Sequence, residues 1–270
     1  MKFSICNDTY ADRSCLDAAA HAAECGYEGL ELAPSTVWDD PSKTTLKQAE
    51  TLAKGIQQQN LEVIGFHWLL TGTKGMHLTH PDKSLQTKLI DYVTHLAQLC
   101  STMGGKVMVW GSPAMRNLED DWNKEEAEKR AVETLQTISQ NIESLDITLA
   151  LEPLAKWETN YWTTADSTWE TIQKVDHPNC RLHLDCKAMA DEATAPENII
   201  LNHKDHFVHF HANDPNLLGP GMGDMDLLGV GKTLRDINYK GWVSVETFKP
   251  GPGYEVIAEE SLQFMKKNFK

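Results

Sequence analysis

The chain has 270 residues, 41% hydrophobic and 24% charged, and 25 Lys and Arg against 39 Asp and Glu give a formal net charge of −14. That length suits an α/β barrel, which takes about 250 residues, and the composition is that of a globular protein with a sizeable core rather than a disordered chain. No apolar run reaches the roughly 18 residues of a membrane helix, the start carries no signal-peptide pattern, and the acidic balance opposes nucleic acid and anionic membrane surfaces as partners.

Eight short apolar runs punctuate the chain, each followed by a helical or turn segment. The first, residues 3–6, precedes Ser14, which is placed to cap a helix that runs through Ala18, Ala19, Ala22 and Ala23 to a stop at Gly26. The second and third runs are 29–32 and 61–66. Pro81-Asp82 then opens a helical stretch with Leu85, Leu89, Val93, Leu96 and Leu99 on one face, ended by Gly104-Gly105. After the fourth run, 106–110, residues 123–144 place Ala127, Ala131, Leu135, Ile138 and Ile142 on a stripe. The fifth run, 147–151, is followed by a helical segment in which Asp166 precedes Trp169, Ile172 and Val175. The last three runs are 181–185, 207–211 and 242–246, and a final helix is predicted over about 254–268.

Strands buried on both faces read as continuous apolar runs, and their alternation with helices means parallel pairing with right-handed crossovers. Eight of them close a single (β/α)₈ TIM barrel spanning residues 1–270. An open doubly wound sheet would carry a Gly-rich phosphate turn, and the sequence has neither GxGxxG nor GxxxxGK[ST]. The six cysteines are scattered without a CxxC pair. They read as reduced thiols in a cytoplasmic protein, not as a zinc site.

Function in such a barrel sits at the C-terminal strand ends. There the fifth run ends in Glu152, the sixth in Asp185, the seventh reaches His211 and the eighth ends in Glu246. One strand-end carboxylate is commonly a helix cap or an ion-pair partner. With three carboxylates and an imidazole on four consecutive strands, the carboxylates would repel and take up protons unless a cation sat among them. This oxygen and imidazole set suits one divalent ion: Mn²⁺, Mg²⁺, Co²⁺ or Zn²⁺. An ion that binds a carbonyl and its neighbouring hydroxyl oxygen stabilises an enediolate. Glu152 and Glu246, from strands that flank the site on opposite sides, are the candidates for taking and returning the proton, with Asp185 and His211 as ligands only.

Most of the chain, most strongly residues 149–250, resembles the xylose isomerase-like TIM barrel superfamily, in particular its sugar phosphate isomerase/epimerase branch, to which D-tagatose 3-epimerase belongs. The resemblance is carried by Glu152-Pro153-Leu154 with Glu158-Thr159-Asn160, by Leu182-His183-Leu184-Asp185, by His209-Phe210-His211 with Gly219-Pro220-Gly221-Met222-Gly223, and by Gly241-Trp242-Val243-Ser244-Val245-Glu246. It implies a metal-dependent sugar isomerase or epimerase in which Glu152, Asp185, His211 and Glu246 hold the ion, Glu152 and Glu246 exchange protons with substrate, and Glu158 contacts substrate. Two substrate-holding residues of the ketose 3-epimerases, a histidine and an arginine, are replaced by Ala188 and Leu217. A lyase that dehydrates a keto-inositol or dehydroshikimate on the same scaffold is the alternative. An apurinic endonuclease of related fold needs further rim histidines, absent at Trp110 and Ala188.

His67 ends the third run and is a candidate substrate contact. Arg116 and Lys187 are cations near the rim, placed to hold a phosphate or carboxylate. Trp68, Trp110, Trp157 and Trp162 lie near strand ends, where indoles stack on sugar C–H faces. His209 shares the face of His211 and reads as a supporting residue, and the Gly- and Pro-rich stretch 213–226 as a lid. The expected partner is a small carbohydrate, and a homo-oligomer is in keeping with this class of barrel.

Overall fold

The computed structural model describes residues 1–11 and 13–270. Eight parallel strands close on themselves in chain order: β1 (Lys2–Cys6), β2 (Gly29–Leu32), β3 (Glu62–Phe66), β4 (Val107–Trp110), β5 (Thr148–Leu151), β6 (Cys180–Asp185), β7 (Phe207–Ala212) and β8 (Trp242–Val245), with β8 paired to β1. Every predicted run is a strand, displaced by at most one residue at either end. Nearly all strand residues are buried, because the helices cover the outer face and side chains fill the inside.

Helix α1 (Cys15–Cys25) begins as expected, with the Ser14 hydroxyl accepting from Asp17 N at 3.1 Å. It ends at Gly26, whose φ of 92° is open to glycine at little cost. Two helices that the apolar pattern does not announce follow β2: a single turn, α2 (Pro34–Val37), and α3 (Leu46–Gln57), which opens on a capping box between Thr45 and Gln48. Helix α3 buries only Ala49, Ala53 and Ile56, too small a stripe to stand out. Helices α4 (Lys83–Thr102) and α5 (Lys124–Asn141) are capped by Asp82 and Asn123.

Helix α6 (Ala165–Val175) is capped by Thr164, and Asp166 lies in its first turn. The β6–β7 crossover contains two short helices, α7 (Cys186–Ala190) and α8 (Pro196–Asn202). Helix α9 (Leu227–Asp236) precedes β8, and α10 (Tyr254–Asn268) closes the chain as predicted. Six cysteines are free. Among the described residues no helix is long and apolar enough to cross a membrane.

Register shifts occur twice, between Leu30 and Glu31 on β2 and between Leu182 and His183 on β6. Such irregularities re-aim side chains beside functional sites, and each here adjoins a polar residue that is fully buried within the barrel, Glu31 and His183.

Candidate active site

Glu152, Asp185, His211 and Glu246 are all buried, and each offers a ligand atom within 4.8 Å of the other three. Pairing places Asp185 beside His211 across β6 and β7. Glu152 and Glu246 each stand one residue beyond a strand, held by main-chain bonds from Glu152 N to Trp110 O (3.2 Å) and from Glu246 N to Ala212 O (3.4 Å). The His211 Nδ1 faces inward, 3.2 Å from Glu246 Oε2 and 3.9 Å from Glu152 Oε1. Asp185 accepts from Ala188 N (2.8 Å) and from Asn213 Nδ2 (2.6 Å), which fixes its rotamer.

Burial first, then the carboxylates of Glu246 and Asp185, push Glu152 well above the usual carboxylate range, and burial raises Asp185. Burial would raise Glu246 too, but His211 outweighs it and holds Glu246 low. His211 itself is driven well above an ordinary imidazole: burial opposes its charge, and Glu31 and Glu246 overcome it. Glu152, Asp185 and His211 are thus pushed towards their protonated forms where a cation would fit, and the donor set matches a hard or borderline divalent ion.

Glu31 supports this cluster from beneath. Its Oε1 lies 3.2 Å from His211 Nε2 and its Oε2 2.8 Å from His209 Nε2. Burial disfavours its charge, yet His209 and His211 keep it ionised, well below the usual range. A lone Glu inside the apolar Gly-Leu-Glu-Leu strand was the available signal, since it must point either into the barrel or into the helix layer.

A cavity of about 300 Å³ opens above the cluster, lined by Glu152, Glu158, Lys187, Glu246, Trp68 and Phe248 among others. Trp68 donates its indole N–H to Glu246 Oε1 (3.1 Å) and stacks on Phe248 at 6.1 Å. It adopts a φ of 51°, a strained value for a bulky residue and one that aims the ring at the site. Gly111 forms the opposite wall, where a Cβ would stand 1.8 Å from Glu152 Oε2.

Lys187 also lines the cavity, but its ammonium is taken up by Glu158 Oε1 at 2.7 Å and lies 4.3 Å from the Phe248 ring centroid. Arg116 corrects the expectation of a rim cation. It is fully buried, donates to the main-chain O of Glu152 at 2.6 Å and lies over the Trp162 ring, so it props up strand β5 instead of facing solute.

His67 is likewise turned inward, paired to Asp8 at 2.8 Å. Trp110 is core, and Trp157 is 63% exposed. The stretch 213–226 is docked, not open: Gly219 and Gly221 pack on Ser261 and Phe264 of α10, and Leu217 O accepts from Phe248 N.

The sequence pattern of the xylose isomerase-like TIM barrel matches residues 19–268. The chain belongs to that family. A D-psicose 3-epimerase of Enterocloster bolteae is 29% identical over 145 residues, 54% of this chain and 47% of the relative, so the match spans about half of that relative's length. An L-ribulose 3-epimerase of a Methylomonas species is 23% identical over 86% of this chain and 77% of its own. The crystal structure of D-psicose 3-epimerase with D-tagatose from Clostridium cellulolyticum superimposes with a TM-score of 0.87 over the whole of both chains at 18% identity, a likeness of fold. These relatives are sugar epimerases, and an inosose isomerase of Bacillus subtilis is 27% identical over 69% of this chain and 69% of its own.

Proposed function

We propose that the chain is a divalent-metal-dependent epimerase or isomerase of a small, uncharged sugar. The observation that carries this is that Glu152 and Glu246, both of the ion-binding cluster, also line one cavity from opposite strands. Glu152, Asp185, His211 and Glu246 would hold the ion, which when bound polarises a carbonyl and its neighbouring hydroxyl. One glutamate takes the proton from the carbon beside the carbonyl; the other returns a proton to the opposite face, and the configuration inverts. Trp68 keeps Glu246 aimed, and Gly111 leaves room for the Glu152 carboxylate. Trp68 and Phe248 give the sugar's C–H faces an apolar wall, while Glu158 and Lys187 meet its hydroxyls.

The uncharged class follows from the lining. Glu152, Glu158 and Glu246 outnumber Lys187, whose charge Glu158 already neutralises, and Arg116 is buried against the Glu152 main chain, outside the lining. No free cation among the described residues of this cavity is left for a phosphate.

The test is exchange of the substrate's carbon-bound hydrogen with solvent deuterium on free ketoses. Glu152→Gln and Glu246→Gln are expected to abolish it with circular dichroism unchanged, and chelation of the ion to abolish it reversibly. Full exchange in both variants would refute the assignment. Proton NMR of the product separates epimerisation from dehydration, which creates a new alkene or keto-methylene signal.

A further inference from the structure

Three cavities adjoin one another, the first two at the rim and the third against helix α4. The first, about 300 Å³, is the site above. A second, about 360 Å³, shares Thr71 with it as a common wall. A third, about 290 Å³, shares Ser42, Met76 and Tyr92 with the second. The second is built from the segments that follow β2 and β3, both at the C-terminal ends of their strands, so it is part of the same face of the barrel as the carboxylates.

Its chemistry differs from that of a packing defect. Ser35 presents a hydroxyl, the Ser42 and Thr73 hydroxyls donate to Asp40 Oδ1 (2.6 Å) and Leu70 O (2.7 Å) and offer only their lone pairs, and the exposed Asp39 carboxylate makes no hydrogen bond or ion pair among the described residues. Tyr92 and Met76 supply an apolar patch. The charges nearly cancel: Asp40 is paired to Lys43 at 2.7 Å, and Lys74 stands on the wall with Asp39. Hydroxyl and carboxylate groups around a small apolar floor, without net charge, suit a second sugar ring, whose C–H face lies on the floor and whose hydroxyls meet the walls. The first cavity is at the small end of the roughly 300–1,000 Å³ of ligand sites. A single monosaccharide there would leave the adjoining space to water.

We propose that the substrate carries two sugar units: the reacting keto unit between Glu152 and Glu246, and a glycosidically linked second unit in the cavity beyond Thr71. This rests on the sugar-epimerase assignment and extends it to a substrate class.

The experiment compares D-fructose with the ketodisaccharides isomaltulose, maltulose and lactulose on the Mn²⁺-supplemented protein, reading deuterium exchange at the carbon beside the carbonyl. At least one disaccharide is expected to exceed fructose in kcat/KM by about tenfold or more, mainly through KM, as contacts remote from the reacting carbon require. Ser42→Trp, which fills the second cavity, is expected to cancel that advantage. Disaccharides all equal to or poorer than fructose, or an advantage untouched by Ser42→Trp, would overturn the proposal and leave the epimerase assignment standing. Exchange with none of the four sugars would count against the epimerase assignment. Saturation-transfer NMR of the same disaccharides then decides the cavity: contact along both rings, lost in Ser42→Trp, supports it, and contact with one ring or none overturns it.

Discussion

His211 turns its two ring nitrogens to different partners, Nε2 to Glu31 Oε1 at 3.2 Å and Nδ1 to Glu246 Oε2 at 3.2 Å. With Nε2 carrying the proton donated to Glu31, the lone pair of Nδ1 is directed at the carboxylate cluster, where an ion would need it. Glu31 is therefore a positioning residue. Glu31→Ala is expected to weaken Mn²⁺ binding by about 10–100-fold, measured by titration of the metal-free protein and scaled to the folded fraction. Glu31→Gln keeps an acceptor oxygen and should lose less. Native affinity in the alanine variant would remove Glu31 from this role.

The four candidate ligands were legible in the sequence because each stands at the end of an apolar run or just after it, and the barrel rule says which end matters. Glu31 escaped because it lies within its run, where alternation alone does not say which face is the inside, and because the register shift beside it is set by pairing with β3. Arg116 and Lys187 follow strand ends in the sequence, but partners far off in the chain decide what they do. Arg116 reaches 36 residues on to the main chain of Glu152, and Lys187 reaches 29 residues back to Glu158. The helices α3, α7 and α8 left weak signals because they are short or bury small side chains.

Gly111 and Glu152 give a sharp steric prediction. A Cβ at position 111 would stand 1.8 Å from Glu152 Oε2. The Glu152 main chain cannot yield readily, since its N is bonded to Trp110 O and its O to Arg116, so the carboxylate must swing away. Displacement of a reacting group by about 1 Å costs on the order of 100-fold in rate. Gly111→Ala should thus lose about that much kcat in the exchange reaction while melting close to the parent protein. Parental kcat would mean that the carboxylate does not act from this position.

The proposed preference for uncharged substrates rests on the Lys187–Glu158 pair. Both groups are mostly withdrawn from water, with side-chain exposures of 3% and 12%. Burial opposes the ammonium charge, and Asp185, Glu246 and Glu158 more than restore it, so Lys187 remains cationic. Glu158→Gln removes one carboxylate and frees that ammonium. The variant is expected to lower KM for fructose 6-phosphate by about tenfold relative to the parent, since an unpaired ammonium forms charge-assisted bonds to a phosphate. Adding Lys187→Met should reverse the gain. An unchanged KM in Glu158→Gln would show that the pair does not set the preference for uncharged substrates.

Glu192 makes stability depend on pH in a direction unusual for a carboxylate. Burial raises its pKa to about 7, against a bond from Ala165 N at 2.9 Å that favours the ion. Between its ordinary value and about 7, the folded chain holds a proton that the unfolded chain has released. The contribution of Glu192 to stability therefore falls as pH rises through that window, and the full cost is present above it. Glu192→Gln keeps the acceptor for Ala165 N and removes the charge. The residue is partly wetted, and solvent screening limits the expected gain at pH 8.5 to about 1 kcal/mol, equivalent to a rise of about 2–4 °C in Tm. At pH 4.5, where both side chains are neutral in the folded state, the two melting curves should nearly coincide. An equal difference in Tm at both pH values would exclude ionisation of Glu192 as its source.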